Sequence, residues 1–237
     1  MNLLVLSLAI VSALAAAPRS GQKAVPFHPP IPVFDPVGCT SMVDNPYFPL
    51  RPGTILVYET RVGKTTEVDT VVVTRETRTV LGVTAVVVRD RTYRGGKLVE
   101  ESFDWYTQDR KGNVWSLGED TKDLRDGEVV STAGAWEAGQ DSACAGIVMP
   151  AIIEVGMEYR KGNRRGRVED LAEVRSLDAK VTVLNDTFTA CVETEDWSPL
   201  ERGVLERNVY APGLGLMMRR AVVGGDERMK LVKLIAP

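Results

Sequence analysis

Histidine is almost missing from this chain. Of 237 residues only His28 is one, and it stands in a proline-rich stretch where an extended arm cannot hold a general base within reach of a substrate. The shortage excludes whole reaction classes. No Ser-His-Asp or Cys-His relay, no His-Glu-x-x-His zinc helix and no histidine facial triad can be assembled. Positive charge is not in excess either. The 29 Lys and Arg against 32 Asp and Glu leave a net charge of -3, and an isoelectric point near 5.4 lacks the basic footprint that neutralises phosphates. No nucleic-acid partner is expected.

Long apolar runs are scarce as well. The one present, Met1 to Ala17, is shorter than the roughly 20 residues of a spanning helix and closes on small residues, Ala13-Leu14-Ala15 being one small-x-small cleavage choice. It reads as an export signal, although its first residues hold no Lys or Arg. No second candidate follows, so no transmembrane segment is expected in the mature chain, which should be periplasmic or extracellular. Cysteine is down to three. In an oxidising compartment one disulfide is favoured, and Cys39 and Cys144, both in loop-like contexts, form the expected pair. Cys191 lies in a strand, as a buried thiol.

Nucleotide and metal loops are missing too. Val62-Gly63-Lys64-Thr65 has Tyr58 where a phosphate loop needs its earlier Gly, which leaves a hairpin tip. Asp120, Asp123 and Asp126 lack the alternating oxygen ligands and terminal bidentate carboxylate of a calcium loop; the stretch reads as a charged turn ending at Asp126-Gly127. Neither a metal nor a cofactor is expected.

What the sequence does contain is strand signal. Residues 18–43 hold Pro26, Pro29, Pro30, Pro32 and Pro36, an extended arm. From there short alternating or β-branched runs are separated by turn residues, among them Leu81-Gly82, Gly95-Gly96, Asn185-Asp186, Ala211-Pro212-Gly213 and Gly224-Gly225-Asp226. No convincing long helix interrupts them. The expected fold is all-β: an antiparallel meander forming a closed or half-closed barrel, with residues 44–237 as one domain. Ser131 to Pro150 has no clear period and is expected to be a flap or a loop covering the sheet. Arg160 to Arg167 is a basic cluster, read as a solvated hairpin tip.

Glu101 to Asp120 shows the clearest pattern, strand, turn and strand. In Asp109-Arg110-Lys111-Gly112 the Asp supplies a side-chain acceptor and the Gly the position of positive φ. Counting outward from this turn sets Trp105 opposite Leu117 and Phe103 opposite Glu119 on an apolar face. Asp104, Tyr106, Ser116 and Asp120 then share a polar one.

Three segments carry a resemblance: Tyr47-Phe48-Pro49-Leu50-Arg51-Pro52-Gly53, Asn185-Asp186-Thr187-Phe188-Thr189-Ala190-Cys191, and Tyr210-Ala211-Pro212-Gly213-Leu214-Gly215-Leu216. With them the chain resembles a broad class of secreted bacterial β-domains of unassigned function, similar in shape to periplasmic half-barrels that hold lipids. Leu184, Asn185 and Asp186 replace the Pro-Ala-Gly usual before the middle segment. The resemblance implies a binding role and gives no catalytic residues to carry over.

The expected function is therefore binding of a small apolar or amphipathic molecule in the cell envelope, with Trp105, Tyr106, Trp115, Trp136 and Trp197 as candidate lining residues. Aromatic core packing is the competing role for them. The alternatives are a carboxylate-based hydrolase, lyase or isomerase using Asp104, Asp120 and Glu119 in a barrel mouth, and a structural envelope module. The sequence leaves oligomeric state open.

Overall fold

The computed structural model describes residues 29–237. The expected export signal, His28 and the first part of the Pro-rich arm lie outside the described residues. Strand follows strand along the rest of the chain. The first half holds β1 (Ile55–Val62), β2 (Thr65–Val80), β3 (Val83–Arg94), β4 (Lys97–Gln108), β5 (Val114–Arg125) and β6 (Glu128–Ser131). Three short strands follow, β7 (Trp136–Glu137), β8 (Gly146–Met149) and β9 (Glu158–Arg160). The second half is β10 (Leu171–Val183), β11 (Asp186–Trp197), β12 (Leu205–Ala211), β13 (Gly215–Val223) and β14 (Arg228–Ile235). No helix occurs among the described residues.

All pairings are antiparallel, in the order β6-β5-β4-β3-β2-β1-β14-β13-β12-β11-β10-β9. The expected meander is present, but its ladder is not closed. One sequence feature explains the order: nearly every connection is a tight turn of the kind that joins adjacent antiparallel strands. The pairing of β1 with β14 brings the chain's two halves together, with Tyr58 opposite Leu231.

The sheet curls around one main core. Val71 and Val73 of β2, Val86 and Val88 of β3, Tyr106 of β4 and Val114 of β5 meet Val174 of β10, Val192 of β11, Val209 of β12 and Leu231 of β14. These residues recur at every second position, so one face of each strand is dry. Burying a large side chain such as Leu231 contributes about 1.5–3 kcal/mol. A second cluster forms on the opposite face of β3 to β5, from Val83, Ala85, Val87, Trp105, Trp115 and Leu117. The stretch from Ser131 to Pro150 covers it, burying Trp136, Ala138, Ala143 and Ala145 there.

The seam between the sheet ends is bridged rather than laddered. Strand β8 lies against β5, and the Cys144 amide donates to the Asn163 carbonyl at 2.8 Å, just past β9. Gly146 permits this approach, because a Cβ there would stand 2.2 Å from the Lys161 carbonyl carbon. Outside the seam runs the arm. Arg160 donates to the Pro29 carbonyl at 2.6 Å, Phe34 meets Trp115 edge-on with centroids 5.1 Å apart, and Thr40 exchanges two 2.9 Å backbone bonds with Gln108. It thus ties β9 to β4.

The three segments behind the family resemblance converge. Tyr47 donates to the Ala190 carbonyl at 3.3 Å, and the Gly213 amide donates to the Pro46 carbonyl at 2.6 Å.

Candidate functional site

The β4–β5 hairpin sets the register of the inner face. Its turn is the expected one: the Gly112 amide donates to the Asp109 carbonyl at 3.0 Å and Gly112 has φ of 92°. The Asp109 carboxylate accepts from the Lys111 amide at 2.8 Å, the Asn113 amide at 3.0 Å and the Trp115 indole at 2.9 Å. Burial opposes its ionisation, yet these hydrogen bonds outweigh burial and hold its pKa below the ordinary value. Near the turn the pairs are Gln108 with Val114, Thr107 with Trp115 and Tyr106 with Ser116, as the counting predicts.

Then the register slips. A bulge between Tyr106 and Trp105 leaves Leu117 without an opposite residue and sets Trp105 against Gly118. The bulge needs glycine: Gly118 has φ of 137°, and a Cβ there would lie 2.4 Å from the Trp136 carbonyl oxygen. Beyond it every side chain changes face. Glu119, expected on the apolar face beside Phe103, pairs with Asp104 instead, and Asp120 pairs with Phe103. Asp120 sits at the surface against Lys122, 3.2 Å away, with its side chain 46% exposed. The expected Asp104 and Asp120 pair is therefore replaced by Asp104 and Glu119.

The inner face falls into two layers along the strands. Toward one end it is apolar, with Leu56, Val71, Val73, Val86, Val88 and Tyr106. Toward the other it carries Thr60 of β1, Asp69 of β2, Asp90 and Thr92 of β3, Glu100, Ser102 and Asp104 of β4, and Glu119 and Thr121 of β5, all buried. Register aligns these residues into neighbours: Asp69 stands opposite Thr92, Asp90 opposite Ser102 and Asp104 opposite Glu119. The second half supplies the facing wall. There Lys161 and Asp196 form an ion pair at 2.6 Å with side chains 4% and 0% exposed. Thr194 donates to Asp196 at 2.5 Å. Arg219 donates to Asn208 at 2.8 Å and lies 3.6 Å from Glu206.

The first wall differs because burial, and not an ion pair, dominates its carboxyls. Burial pushes Asp69 up to about 6, Asp104 to about 7 and Glu100 to about 8. Asp90 and Glu119 rise well above the ordinary carboxyl range, from burial first and then from their acidic neighbours. Hydroxyls turn toward this wall. Thr60 donates to Asp69 at 2.8 Å, Ser102 to Asp104 at 3.4 Å and Thr121 to Glu100 at 3.3 Å. Both oxygens of Asp90 and both of Glu119 have no hydrogen-bond partner. Among the described residues no ion pair reaches Asp69, Asp90, Asp104 or Glu119.

No family model matches the chain, and no curated protein matches it. Among solved structures, a "putative lipoprotein" from Parabacteroides distasonis aligns over 81% of this chain and 99% of its own, with 12% identity and a TM-score of 0.44. Likeness this slight assigns no function.

The remaining sequence candidates are spread over the fold. Tyr106 is inside, 1% exposed, and hydrogen-bonded to Asp104. Trp105, Trp115 and Trp136 pack together in the outer-face cluster, with the Arg78 guanidinium 3.9 Å from the Trp105 ring. Trp197 is half-buried at the end of β11. Cys39 and Cys144 are free thiols, not the expected disulfide; each points at a nearby carbonyl, that of Asp35 at 3.3 Å and that of Ser142 at 3.8 Å. The basic cluster is largely engaged in structure, since Lys161 is buried and Arg164 bonds Ala135 and Asp141. Counting missed Asp69, Asp90, Glu100, Lys161, Asp196 and Arg219. Glu67-x-Asp69-x-Val71-x-Val73 and Glu100-x-Ser102-x-Asp104 do carry a signal, because acids at the same parity as valines must share their face.

Proposed function

We propose that the half-barrel binds a small amphipathic molecule, with its polar end against the carboxyl wall and its apolar part toward the valine layer. The observation behind this reading is the pair Asp90 and Glu119, 3% and 2% exposed, whose four carboxyl oxygens have no partner. Leaving a buried acceptor unsatisfied costs about 1–3 kcal/mol, more for a charged group, so folded chains rarely tolerate several side by side. A ligand carrying donors removes that cost. The apolar layer on the same strands supplies the other half of an amphiphile's environment. With the expected export signal, the site of action would be the cell envelope.

Native mass spectrometry of the exported, purified protein tests the reading. The expected result is a retained small molecule, or saturable uptake of an added amphiphile. A spectrum of bare protein with no uptake of any amphiphile overturns it.

A second reading, carboxylate-based hydrolase or lyase/isomerase chemistry, is favoured by one observation. Asp104 and Glu119 stand directly opposite each other, both buried and both raised, as a proton-sharing acid and base would be. Its test is turnover of the retained molecule. Asp104→Asn and Glu119→Gln should abolish it and Asp120→Asn should not; activity in the first two overturns the reading.

A further inference from the structure

The outer face of the sheet carries its own charge pattern. Register sets four arginines in one row across adjacent strands: Arg207 of β12 opposite Arg220 of β13, Arg220 opposite Arg228 of β14, and Arg228 opposite Arg61 of β1. Each stands next in the chain to a buried residue, Asn208, Arg219, Met229 and Thr60 respectively. Alternation therefore turns all four outward. With strands about 4.8 Å apart, the row is roughly 14 Å long.

Like charges directly opposite each other in a sheet repel and weaken the pairing. Acids relieve only the two ends. Arg61 is paired with Glu59 at 2.9 Å, and Arg207 with Glu195 at 2.7 Å and Glu193 at 3.6 Å. Among the described residues no ion pair reaches Arg220 or Arg228 in the middle of the row, nor Lys64 in the β1–β2 turn, nor Lys230 and Lys233 further along β14. Asp226, in the exposed β13–β14 turn, is a single acid against them. The chain as a whole has a net charge of -3, so this strip stands out by its sign.

The balancing anion has to come from outside, and shape narrows what it is. The sheet curls around its core, so this face is convex and has no groove to enclose a small solute. Exposed valines accompany the bases, Val68 of β2 and Val232 of β14. A wholly polar polyanion would leave them in water, whereas the boundary between lipid headgroups and acyl chains accepts apolar side chains beside basic ones. Guanidinium forks also match phosphate oxygens in pairs. We infer that β12, β13, β14 and β1 form a docking face for a membrane surface bearing anionic phospholipids, with Arg220 and Arg228 against the phosphates. This holds whatever the interior binds.

Co-sedimentation of the exported, purified protein with vesicles tests it. One set is phosphatidylcholine alone and the other an equimolar mixture with phosphatidylglycerol. The mixed vesicles should bind at least about tenfold tighter, as expected for several unpaired bases at an anionic surface, and added salt should weaken the binding. Arg220→Gln combined with Arg228→Gln should lose about tenfold without lowering the melting midpoint, because the change removes repulsion. Arg165→Gln combined with Arg167→Gln takes the same charge from an exposed hairpin tip and should bind like wild type. Equal binding to both vesicle sets, no binding to either, or equal losses in the two double variants overturns the inference. A lowered midpoint in the row variant overturns it too, by showing those arginines to be held within the fold. Binding of dextran sulfate without binding of vesicles replaces the membrane with a soluble polyanion.

Discussion

Replacing Asp104 with Asn should make the protein less sensitive to alkali. Asp104 is 3% exposed, and burial lifts its pKa from the ordinary 3.8 to about 7, against the hydrogen bonds from Ser102 and Tyr106. The folded chain therefore holds this proton where the unfolded chain has lost it. Stability falls as pH rises from about 4, and the loss is complete above about 7. At about 1.36 kcal/mol per pKa unit, the rise corresponds to roughly 4 kcal/mol; mutual repulsion with Glu119 makes part of that a property of the pair. Asn keeps an oxygen to accept from Ser102 and Tyr106 but cannot ionise. Urea denaturation at pH 5 and pH 8 measures the effect. Wild type should lose several kcal/mol between the two, and Asp104→Asn markedly less, so the variant gains relative to wild type as pH rises. A variant that differs from wild type by the same amount at both pH values refutes the assignment of Asp104 to a dry layer.

Three other outcomes follow from the same structure. Gly118→Ala should cost about 3 kcal/mol by combining a positive φ with a Cβ 2.4 Å from the Trp136 oxygen; thermal unfolding at wild-type stability would contradict the bulge. Lys161→Met leaves Asp196 buried without its base and should cost about 3–5 kcal/mol, lowering the melting midpoint by roughly 10 °C. Reagent titration of the unfolded, unreduced protein should find three free thiols, because Cys39, Cys144 and Cys191 are unpaired; finding one would restore the disulfide.

Local chemistry made the strands and turns legible. Asp109 and Gly112 dictate their hairpin by a side-chain acceptor and a positive φ, and both are visible in a string of letters. Leu81-Gly82, Gly95-Gly96 and Asp126-Gly127 announce their tips in the same way. What failed was propagation of register across Gly118. A glycine inside a strand is a known mark of a bulge, but its cause here is the backbone of Trp136, 18 residues on, pressed against that position. That one slip moved Glu119 inward and Asp120 outward, and so changed which acids form a pair. The outer aromatic cluster was illegible for a related reason. Counting gave Trp105 and Trp115 a common face, but whether that face lay inside depended on the aperiodic stretch from Ser131 to Pro150 covering it. The polar layer was harder still. Its members come from strands far apart in sequence, and only the curl of the whole sheet brings Asp69, Asp90 and Asp104 to one wall and Lys161, Asp196 and Arg219 to the other.

The central claim is that Asp104 and Glu119 stand opposite each other in a dry layer inside the half-barrel. Carbon-detected NMR titration of the Asp and Glu side-chain carboxyls tests it most directly, with Asp104→Asn and Glu119→Gln used to assign the signals. The account predicts that Asp104 titrates near 7 and Glu119 well above the ordinary carboxyl range. Midpoints near 4 for both residues in the free protein would contradict it.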